Sequence, residues 1–482
     1  MKGITLRIKR FVCICMSLVL CVGLVAFLRA YGVMPASGFT STPMVAAGSD
    51  HAVVLRQDST VWAWGRNQSG QLGDGTTTNR RTPVQVQDLT GITAIAAGGV
   101  HTVVLRQDGT VWAWGSNGHG QLGDGTTTNR STPVQVQNLI NVTAIAAGAN
   151  HTMALMQDGT VWAWGRNQHG QLGDGTVTAR SIPVRVRNLY NVTAIASGSN
   201  HTIALMQDGT VWAWGCNAYG QLGDGTITDR RTPVQAQNLT NVTAIAAGSN
   251  HTMALMQDGA IWTWGWNRDG QLGDESVDLR NIPAQIQNIS NVIATAAGGD
   301  HTIALIQDGT VRAWGRNSYG QLGDGTTTSH STPVQVQNLN ASAIAAGRDY
   351  GVALRQDGTV WTWGVNWFGQ LGDDTTINRH TPVQVRGPGG MGYLNLLDIG
   401  TPPPTPSPSP PPTDILPGDV NRDGQVTAAD VGMLRAYLAG FPVDICRIAA
   451  DVTGDGYITA ADVGLLRAYL AGFPVTLGRR EQ

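Results

Sequence analysis

Two stretches near the C-terminal end of the chain carry oxygen-bearing side chains at alternate positions, which is the spacing of a calcium-binding loop. Ca²⁺ takes six to eight oxygen ligands, and a twelve-residue loop supplies them from positions 1, 3, 5, 7, 9 and 12 around a glycine at position 6. In the first stretch these positions hold Asp419, Asn421, Asp423, Gln425, Thr427 and Asp430. In the second they hold Asp451, Thr453, Asp455, Tyr457, Thr459 and Asp462. We therefore expect two calcium sites, of which the first is tighter because Asn421 is a better oxygen donor than Thr453.

Each loop runs into a copy of the same segment, VTAADVGMLRAYLAGFPV from Val426 and ITAADVGLLRAYLAGFPV from Ile458. The leucine spacing predicts a helix in each copy. This duplication resembles a dockerin over residues 414 to 476. The resemblance implies a small all-α module with paired EF-hand-like loops, which binds Ca²⁺ and docks secreted proteins onto a cohesin domain of a scaffold protein. Arg435 and Arg467 occupy equivalent places on the two helices, so either helix is a candidate cohesin contact.

The chain departs from the dockerin pattern at the positions that specify the partner. The family often carries Ser-Thr pairs where this sequence has two alanine pairs, at 428–429 and 460–461. Which cohesin the module would bind is therefore left open.

Composition shifts divide the chain into four predicted segments. Residues 401–413 read TPPPTPSPSPPPT, with eight prolines, and predict a stiff polyproline II spacer. It separates the dockerin-like segment, 414–482, from a large repetitive segment, 37–400. Residues 1–36 form a leader.

The leader combines basic residues with an apolar run from Phe11 to Leu28, which is typical of an export signal. Its length also suits an uncleaved N-terminal anchor. In both cases we expect a secreted or cell-surface protein, in contact with a membrane only if the leader is retained. Of the five cysteines only Cys216 and Cys446 lie beyond it, so no disulfide framework is expected.

Seven copies of a repeat of about fifty residues fill the segment 37–400. The string GQLGD recurs at Gly70, Gly120, Gly170, Gly220, Gly270, Gly320 and Gly369. Each copy reads as four short strands, since Val, Ile, Thr and Trp alternate in runs separated by turn residues. Asp108-Gly109 predicts a two-residue type I′ hairpin between two of them. Four strands in each of seven repeats predict an all-β fold, a seven-bladed β-propeller.

The strings AAGSNHTMALMQDG, WTWGWN and GQLGD resemble the regulator of chromosome condensation repeat, from Ser37 to Gly400. The resemblance implies a seven-bladed propeller but not one activity, because that fold hosts unrelated functions. We expect the ring to be closed by strand exchange, with YLNLLDIG from Tyr393 serving as an extra or substitute first strand of the first blade.

Several polar residues recur once in each repeat. The histidine series from His51 to His301 could hold a metal, but equivalent positions in different blades are too far apart to share one ion, so backbone hydrogen bonding is favoured. The aspartate of GQLGD could be catalytic or calcium-binding, and a turn is favoured. The arginine six residues later could form an anion-binding ring, and an ion pair within the blade is favoured. Asn141 and its equivalents match a glycosylation sequon, and a turn is favoured.

What varies between the repeats is the loop between WG and GQLG. Its asparagine is constant, while its flanks acquire large aromatic residues in the later copies: Tyr219, Trp266, Tyr319, Trp367 and Phe368. Aromatic enrichment is typical of interface centres. These loops therefore predict a partner-binding face, although drift at blade tips would also produce variation.

The net charge of −2 and the lack of a basic cluster beyond the leader exclude an electrostatic nucleic-acid interface. The sequence has no nucleophile elbow, no HExxH motif and no phosphate-binding Gly-Lys loop, and a catalytic group assembled from several blades is left open. The favoured function is a secreted, non-catalytic protein whose propeller recognises a protein or polysaccharide and whose dockerin tethers it to a cohesin-bearing scaffold or cell surface. The alternatives are a polysaccharide-degrading enzyme of a cellulosome-like complex, a propeller-type protein inhibitor, and nucleotide exchange on a small GTPase, which export disfavours.

Overall fold

The structure, a computed structural model, describes residues 41–397, Val420, 426–439, Val452 and 458–471. The chain divides into two compact units, Met1–Ile399 and Gly400–Gln482. The predicted leader, the proline-rich spacer and much of both calcium loops lie outside the described residues. No helix among the described residues is both long and apolar enough to cross a membrane.

Within residues 41–397 the first unit contains 28 strands in seven four-stranded antiparallel sheets, which confirms the seven-bladed propeller. The first four blades comprise β1 (Met44–Ala47), β2 (His51–Leu55), β3 (Val61–Gly65), β4 (Arg80–Gln85); β5 (Ile92–Ala97), β6 (His101–Arg106), β7 (Val111–Gly115), β8 (Arg130–Gln135); β9 (Val142–Ala147), β10 (His151–Met156), β11 (Val161–Gly165), β12 (Arg180–Arg185); β13 (Val192–Ser197), β14 (His201–Met206), β15 (Val211–Gly215), β16 (Arg230–Gln235). The last three comprise β17 (Val242–Ala247), β18 (His251–Met256), β19 (Ile261–Gly265), β20 (Arg280–Gln285); β21 (Val292–Ala297), β22 (His301–Ile306), β23 (Thr310–Gly315), β24 (His330–Asn340); β25 (Ala343–Ala346), β26 (Tyr350–Leu354), β27 (Val360–Gly364), β28 (Arg379–Gln384). A 3₁₀ turn follows at Pro388–Gly390.

The hairpin between the second and third strands differs from the predicted type I′ turn. Gly109 has a φ of 77° and its amide donates to the carbonyl of Arg106, whereas Asp108 is not among the residues with positive φ. This is a three-residue loop, a type I turn followed by a left-handed glycine. The carboxylate of Asp108 accepts the amide of Thr110 at 2.9 Å, which explains why aspartate precedes the glycine.

A fully buried tryptophan joins each blade to the one before it. The Nε1 of Trp114 donates to the carbonyl oxygen of Gln71 at 2.9 Å, and Trp64 reaches Gln370 in the same way across the ring closure. Apolar side chains of both blades surround each indole. The second tryptophan of the WxWG string therefore forms the core between blades.

The recurring histidines also connect blades rather than bonding backbone within one. His101 Nε2 lies 2.9 Å from Thr152 Oγ1 of the next blade, and the hydroxyl of Thr152 donates to Gln121. Five of the six histidines have this threonine partner, and for the sixth, His301, the equivalent position in the next blade is Gly351. Tyr350, in the seventh histidine position, donates its hydroxyl to the carbonyl of His51.

The other recurring polar residues have structural roles within their blades. Each GQLGD aspartate pairs with the arginine six residues later, as in Arg130–Asp124 at 2.9 Å, and His330 replaces that arginine in the sixth blade. Asn141 has a φ of 59°, which places it in a turn before its strand. The ion-pair and turn interpretations are confirmed.

The predicted strand exchange at the ring closure is wrong, because all four strands of every blade come from one contiguous segment. Residues 393–397 instead lie between the last and first blades. Leu396 donates its amide to Gly358 at 2.8 Å and accepts that of Gln57 at 2.9 Å. Between the second and third blades, which a covalent linker joins, the amide of Val142 donates to Gly109 and that of Gln157 donates to Asn141. At the ring closure this segment therefore makes the bonds that a linker makes between other blades.

Replacing Leu394 and Leu396 by alanine should lower the free energy of unfolding by about 2–5 kcal/mol for each leucine. Both side chains are almost fully buried in the apolar cluster shared by the last and first blades. Urea denaturation followed by tryptophan fluorescence measures the loss. Leu397→Ala, at a side chain in the same segment that is 40% exposed, is the matched control and should change little. Equal stability of the double variant and the wild type would contradict a linker role.

The second unit contains two described helices, α1 (Ala428–Leu438) and α2 (Ala460–Leu470). They share a small apolar cluster whose buried members are Val420, Val431, Leu434, Val452, Val463 and Leu466. Both helices predicted from the duplication are therefore present.

Candidate binding face of the propeller

One face of the ring carries two loops from every blade, and we call it the loop face. In each blade the first strand ends and the second begins there, and the third strand also ends there, because His51 pairs with Gly65 across the second and third strands. The loop after the third strand is the variable one. The loop after the first strand lies beside it.

The constant asparagine holds the variable loop in shape. Asn67 is fully buried, its amide group donates to Asp74 at 3.0 Å, and its carbonyl accepts the amide of Leu72 at 2.9 Å. Burial by itself would raise the pKa of Asp74, but hydrogen bonds from Thr76 and Arg80 lower it overall. A rigid base of this kind leaves the flanking residues free to vary without cost to the fold.

The five predicted aromatic residues form three groups at blade junctions rather than one patch. Tyr219 and Trp266 lie with ring centroids 4.4 Å apart. Tyr319 and Trp367 lie 5.0 Å apart in an edge-to-face arrangement. Phe368 packs beneath the guanidinium of Arg66 at 5.0 Å. Only Trp367 is exposed, at 49%.

The second of these groups borders a groove of about 350 Å³ on the loop face. The groove is also lined by Arg316, Asp300, Arg348 and Asp349, with Ser249, Asn250 and Gly299. Tyr219, Trp266 and Phe368 do not line it. In such a groove the aromatic rings can stack on a planar or apolar group, and the charged side chains can hydrogen-bond to polar groups beside it.

The charges in the groove are balanced by mutual pairing. Arg316 Nη1 lies 3.9 Å from Asp300 and 3.8 Å from Asp349, and Arg348 pairs with Asp349 at 3.1 Å. Burial raises the pKa of Asp300, helped by the nearby charges of Asp269 and Asp349 and opposed by Arg316. Arg316 stands in the variable loop predicted to bind a partner, whereas Asp300, Arg348 and Asp349 were not predicted, although the residues after AAG differ between repeats and carried that signal.

The central channel has a different character. It is lined by the Ala-Gly ends of the first strands of all seven blades and has a volume of about 190 Å³. Apart from Arg348 its lining is small or uncharged, so it offers few groups for recognition.

Four of the twelve predicted calcium ligands lie among the described residues. Asp430 and Asp462 are fully buried in the first turns of α1 and α2, and each accepts the amide of the threonine three residues before it. The threonines are Thr427 and Thr459. Carboxylate and hydroxyl oxygens at loop positions 9 and 12 suit Ca²⁺. The other eight predicted ligands lie outside the described residues.

Arg435 and Arg467 are exposed on α1 and α2, as a partner contact requires. Their exposure is compatible with the predicted docking surface and does not test it.

Comparisons with known proteins support both units. The model of the RCC1-like domain matches residues 89–401, that of the regulator of chromosome condensation (RCC1) repeat matches 58–105, and that of the dockerin type I domain matches 417–471. The human E3 ubiquitin-protein ligase HERC2 is 47% identical over 47 residues, which are 10% of this chain and 1% of that protein. The chain thus spans about one hundredth of the length of this curated relative.

Two solved structures of the yeast RCC1 protein Prp20 are similar to the propeller. The one bound to Kap60 has 25% identity and a TM-score of 0.63, covering 75% of this chain and 87% of the other. The Saccharomyces cerevisiae Prp20p structure described with its binding to Gsp1p and histones has 26% identity and a TM-score of 0.63, covering 73% and 88%. Given the match to about two thirds of its length, this chain belongs to the RCC1-like domain family, and it carries a dockerin type I domain at its C-terminal end.

Proposed function

We propose that this is a secreted, non-catalytic binding protein, tethered by its dockerin to a cohesin-bearing scaffold or cell surface while the propeller holds a protein or polysaccharide. The proposal that the propeller binds a partner rests on the groove bordered by Tyr319 and Trp367. Its exposed indole offers a stacking surface, and its arginines and aspartates offer donors and acceptors. Dockerin type I domains bind calcium and cohesins, which supports the tethering half.

Recognition at the groove fits the general composition of binding sites. Interface centres are enriched in Tyr, Trp and Arg, and a few such side chains carry most of the binding free energy. Tyr319 is held by Arg316, whose guanidinium lies 5.4 Å from the ring centre, so its position is fixed before a partner arrives. A fixed aromatic ring loses little entropy on binding.

Replacing Tyr219, Trp266, Tyr319 and Trp367 together by alanine should abolish partner binding and leave the fold intact. Each hot spot of this type contributes about 2 kcal/mol or more, so affinity should fall at least a thousandfold. The partner is sought with a glycan array and by pull-down from culture supernatant, and affinity is then measured by calorimetry. The structure adds a finer expectation: the pair Tyr319 and Trp367, which borders the groove, should account for most of the loss.

The matched control lies at the opposite face of the ring. Tyr190 and Ile140 are exposed in the linkers between blades, 56% and 65% respectively, and their alanine variants should keep wild-type affinity. Retention of full affinity by the quadruple variant would move the binding site away from the aromatic loops.

The groove also favours one alternative, a polysaccharide-degrading enzyme. Carboxylate oxygens of Asp300 and Asp349 lie 3.9 and 3.8 Å from the same Arg316 nitrogen, so they are less than about 8 Å apart. Glycosidases use pairs of carboxyl groups separated by about 5 to 9.5 Å. The raised pKa of Asp300 suits a general acid. Cleavage of a bound glycan by the wild type, lost in Asp300→Asn while binding persists, would replace the non-catalytic assignment by this one.

A further inference from the structure

Three side chains with metal-ligating atoms meet on the loop face, at the junction of the third and fourth blades. His169 belongs to the variable loop of the third blade, and Cys216 and Asp229 belong to the loop of the fourth. Their ligand atoms all lie within 4.8 Å of one another. His169 Nδ1 is 2.8 Å from Asp229 Oδ2. Cys216 is a buried free cysteine, and burial raises the pKa of its thiol, opposed by a hydrogen bond from the backbone of Ala218 and helped by the charge of Asp229.

The repeats show that this meeting is built into the propeller. At the next junction the positions of His169 and Cys216 hold Tyr219 and Trp266, whose rings are 4.4 Å apart. Across the ring closure they hold Phe368 and Arg66, which are in contact at 5.0 Å. At these three junctions the last position of one variable loop therefore lies against the first position of the following loop, although the residues differ.

The backbone hydrogen bond that Asp229 makes in its own loop does not require a negative charge. Its Oδ1 accepts the backbone amide of Asn217 at 2.8 Å. Asn79, Asn129 and Asn378 accept the equivalent amide in three other blades, at 2.8 to 2.9 Å. Asparagine thus suffices for that bond, and aspartate adds a second carboxylate oxygen, which is the one that faces His169.

We propose that His169, Cys216 and Asp229 form a zinc site that joins the third and fourth blades. Zn²⁺ binds imidazole nitrogen, thiolate sulfur and carboxylate oxygen, and prefers four ligands in a tetrahedron. At bond lengths of about 2.0–2.3 Å, tetrahedral ligand atoms stand roughly 3.3–3.7 Å apart, so these side chains need only small rotations. A thiolate disfavours the hard cations Ca²⁺ and Mg²⁺, which prefer oxygen.

The fourth position of the site would hold water. The side chains of His169 and Asp229 are 34% and 40% exposed, so solvent has access to the site. The site is separate from the groove, which the fifth, sixth and seventh blades line, and it does not depend on the proposed binding function.

The test measures zinc on the full chain, without a histidine tag and in excess Ca²⁺ so that the dockerin loops are saturated. Equilibrium dialysis and elemental analysis should find one more zinc ion per chain in the wild type than in the triple variant His169→Ser, Cys216→Ser, Asp229→Asn. Each new residue already stands at the same position of another blade, as Ser69, Ser116 and Asn129, so the variant should keep its fold. Unchanged melting in the absence of zinc verifies this.

Single variants and Co²⁺ identify the ligands. Each single substitution should weaken zinc binding at least tenfold in competition with a chromogenic chelator. Bound Co²⁺ should show a thiolate charge-transfer band that Cys216→Ser removes. The matched control is His119→Ser, because His119 occupies the position of His169 one blade earlier, where the facing residues are Arg166 and Ala179. It should bind zinc like the wild type. Equal zinc content in the wild type and the triple variant, including no zinc in either, would overturn the proposal.

Discussion

Acidification from pH 7 to pH 5 is expected to destabilise the propeller strongly, by up to about 8 kcal/mol per pH unit at the steepest point. The cause is the set of six fully buried histidines: His51, His101, His151, His201, His251 and His301. Burial lowers the pKa of each from 6.5 to about 3 or 4. The folded state therefore keeps these rings neutral, while the unfolded chain takes up a proton on each below pH 6.5.

The direction follows from this difference in proton uptake. Because the unfolded chain binds more protons, its relative free energy falls as the pH decreases from 6.5 towards 4. The full stability is present above pH 6.5. The turn aspartates add a loss of the same sign at lower pH, since hydrogen bonds that outweigh burial lower the pKa of Asp74 and its equivalents.

Urea denaturation at a series of pH values, followed by tryptophan fluorescence, gives the slope. His301→Gln should reduce this slope by about one sixth, because it removes one of the six buried histidines. His301 is chosen because it is the member of the series without a threonine partner in the next blade. His119→Gln removes an exposed histidine and should leave the slope unchanged. A free energy of unfolding that stays constant between pH 7 and pH 5 would contradict the assignment of neutral buried rings.

Removal of calcium should unfold the dockerin unit and abolish cohesin binding, while the propeller stays folded. The sequence of each predicted loop has aspartates at ligand positions 1, 5 and 12, and carboxylates that share one ion repel one another when the cation is removed. The described apolar cluster of this unit has only six buried side chains, which is little core to offset that repulsion. Ion binding therefore contributes folding free energy.

The two units are observable separately in the intact chain. All 15 tryptophans lie before residue 400, so tryptophan fluorescence reports on the propeller alone. Helical circular dichroism should come mainly from the dockerin unit, because the described propeller has strands and one 3₁₀ turn. Excess EDTA should remove the helical signal reversibly and leave the fluorescence unchanged.

Calorimetry should then show two calcium-binding events, of which Asp430→Ala removes the tighter and Asp462→Ala the weaker. A helical signal and cohesin affinity that both persist in EDTA would mean that docking does not depend on calcium.

The sequence was sufficient to predict the seven-bladed architecture because the same repeat occurs seven times with little variation. The contacts between blades were harder to predict. The histidine of one repeat and the threonine of the next are about fifty residues apart, and nothing in their spacing shows that they meet. The Asp-Gly pair likewise does not reveal whether the hairpin loop has two or three residues. A two-residue loop was predicted, and the observed loop has three.

The candidate site was predicted in part. Aromatic variation identified the loops that contain Tyr319 and Trp367. The polar half of the groove comes from other loops, after the first strand of each blade, where Asp300 and Asp349 stand among small residues. The sequence does not show that two loops separated by two strands lie side by side. For the same reason, the sequence does not show that His169 and Cys216, which belong to loops of neighbouring blades, lie close together.

The contiguity of each blade bears on how such a gene changes. Because no strand is exchanged between the ends, one repeat of DNA encodes one whole blade. Unequal crossing-over between neighbouring copies therefore adds or deletes one complete blade. In the product, each buried tryptophan can still donate a hydrogen bond to the glutamine carbonyl of the preceding blade. The near-identity of the copies makes such exchange easy, so homologous chains with six or eight blades are an expected product of this arrangement.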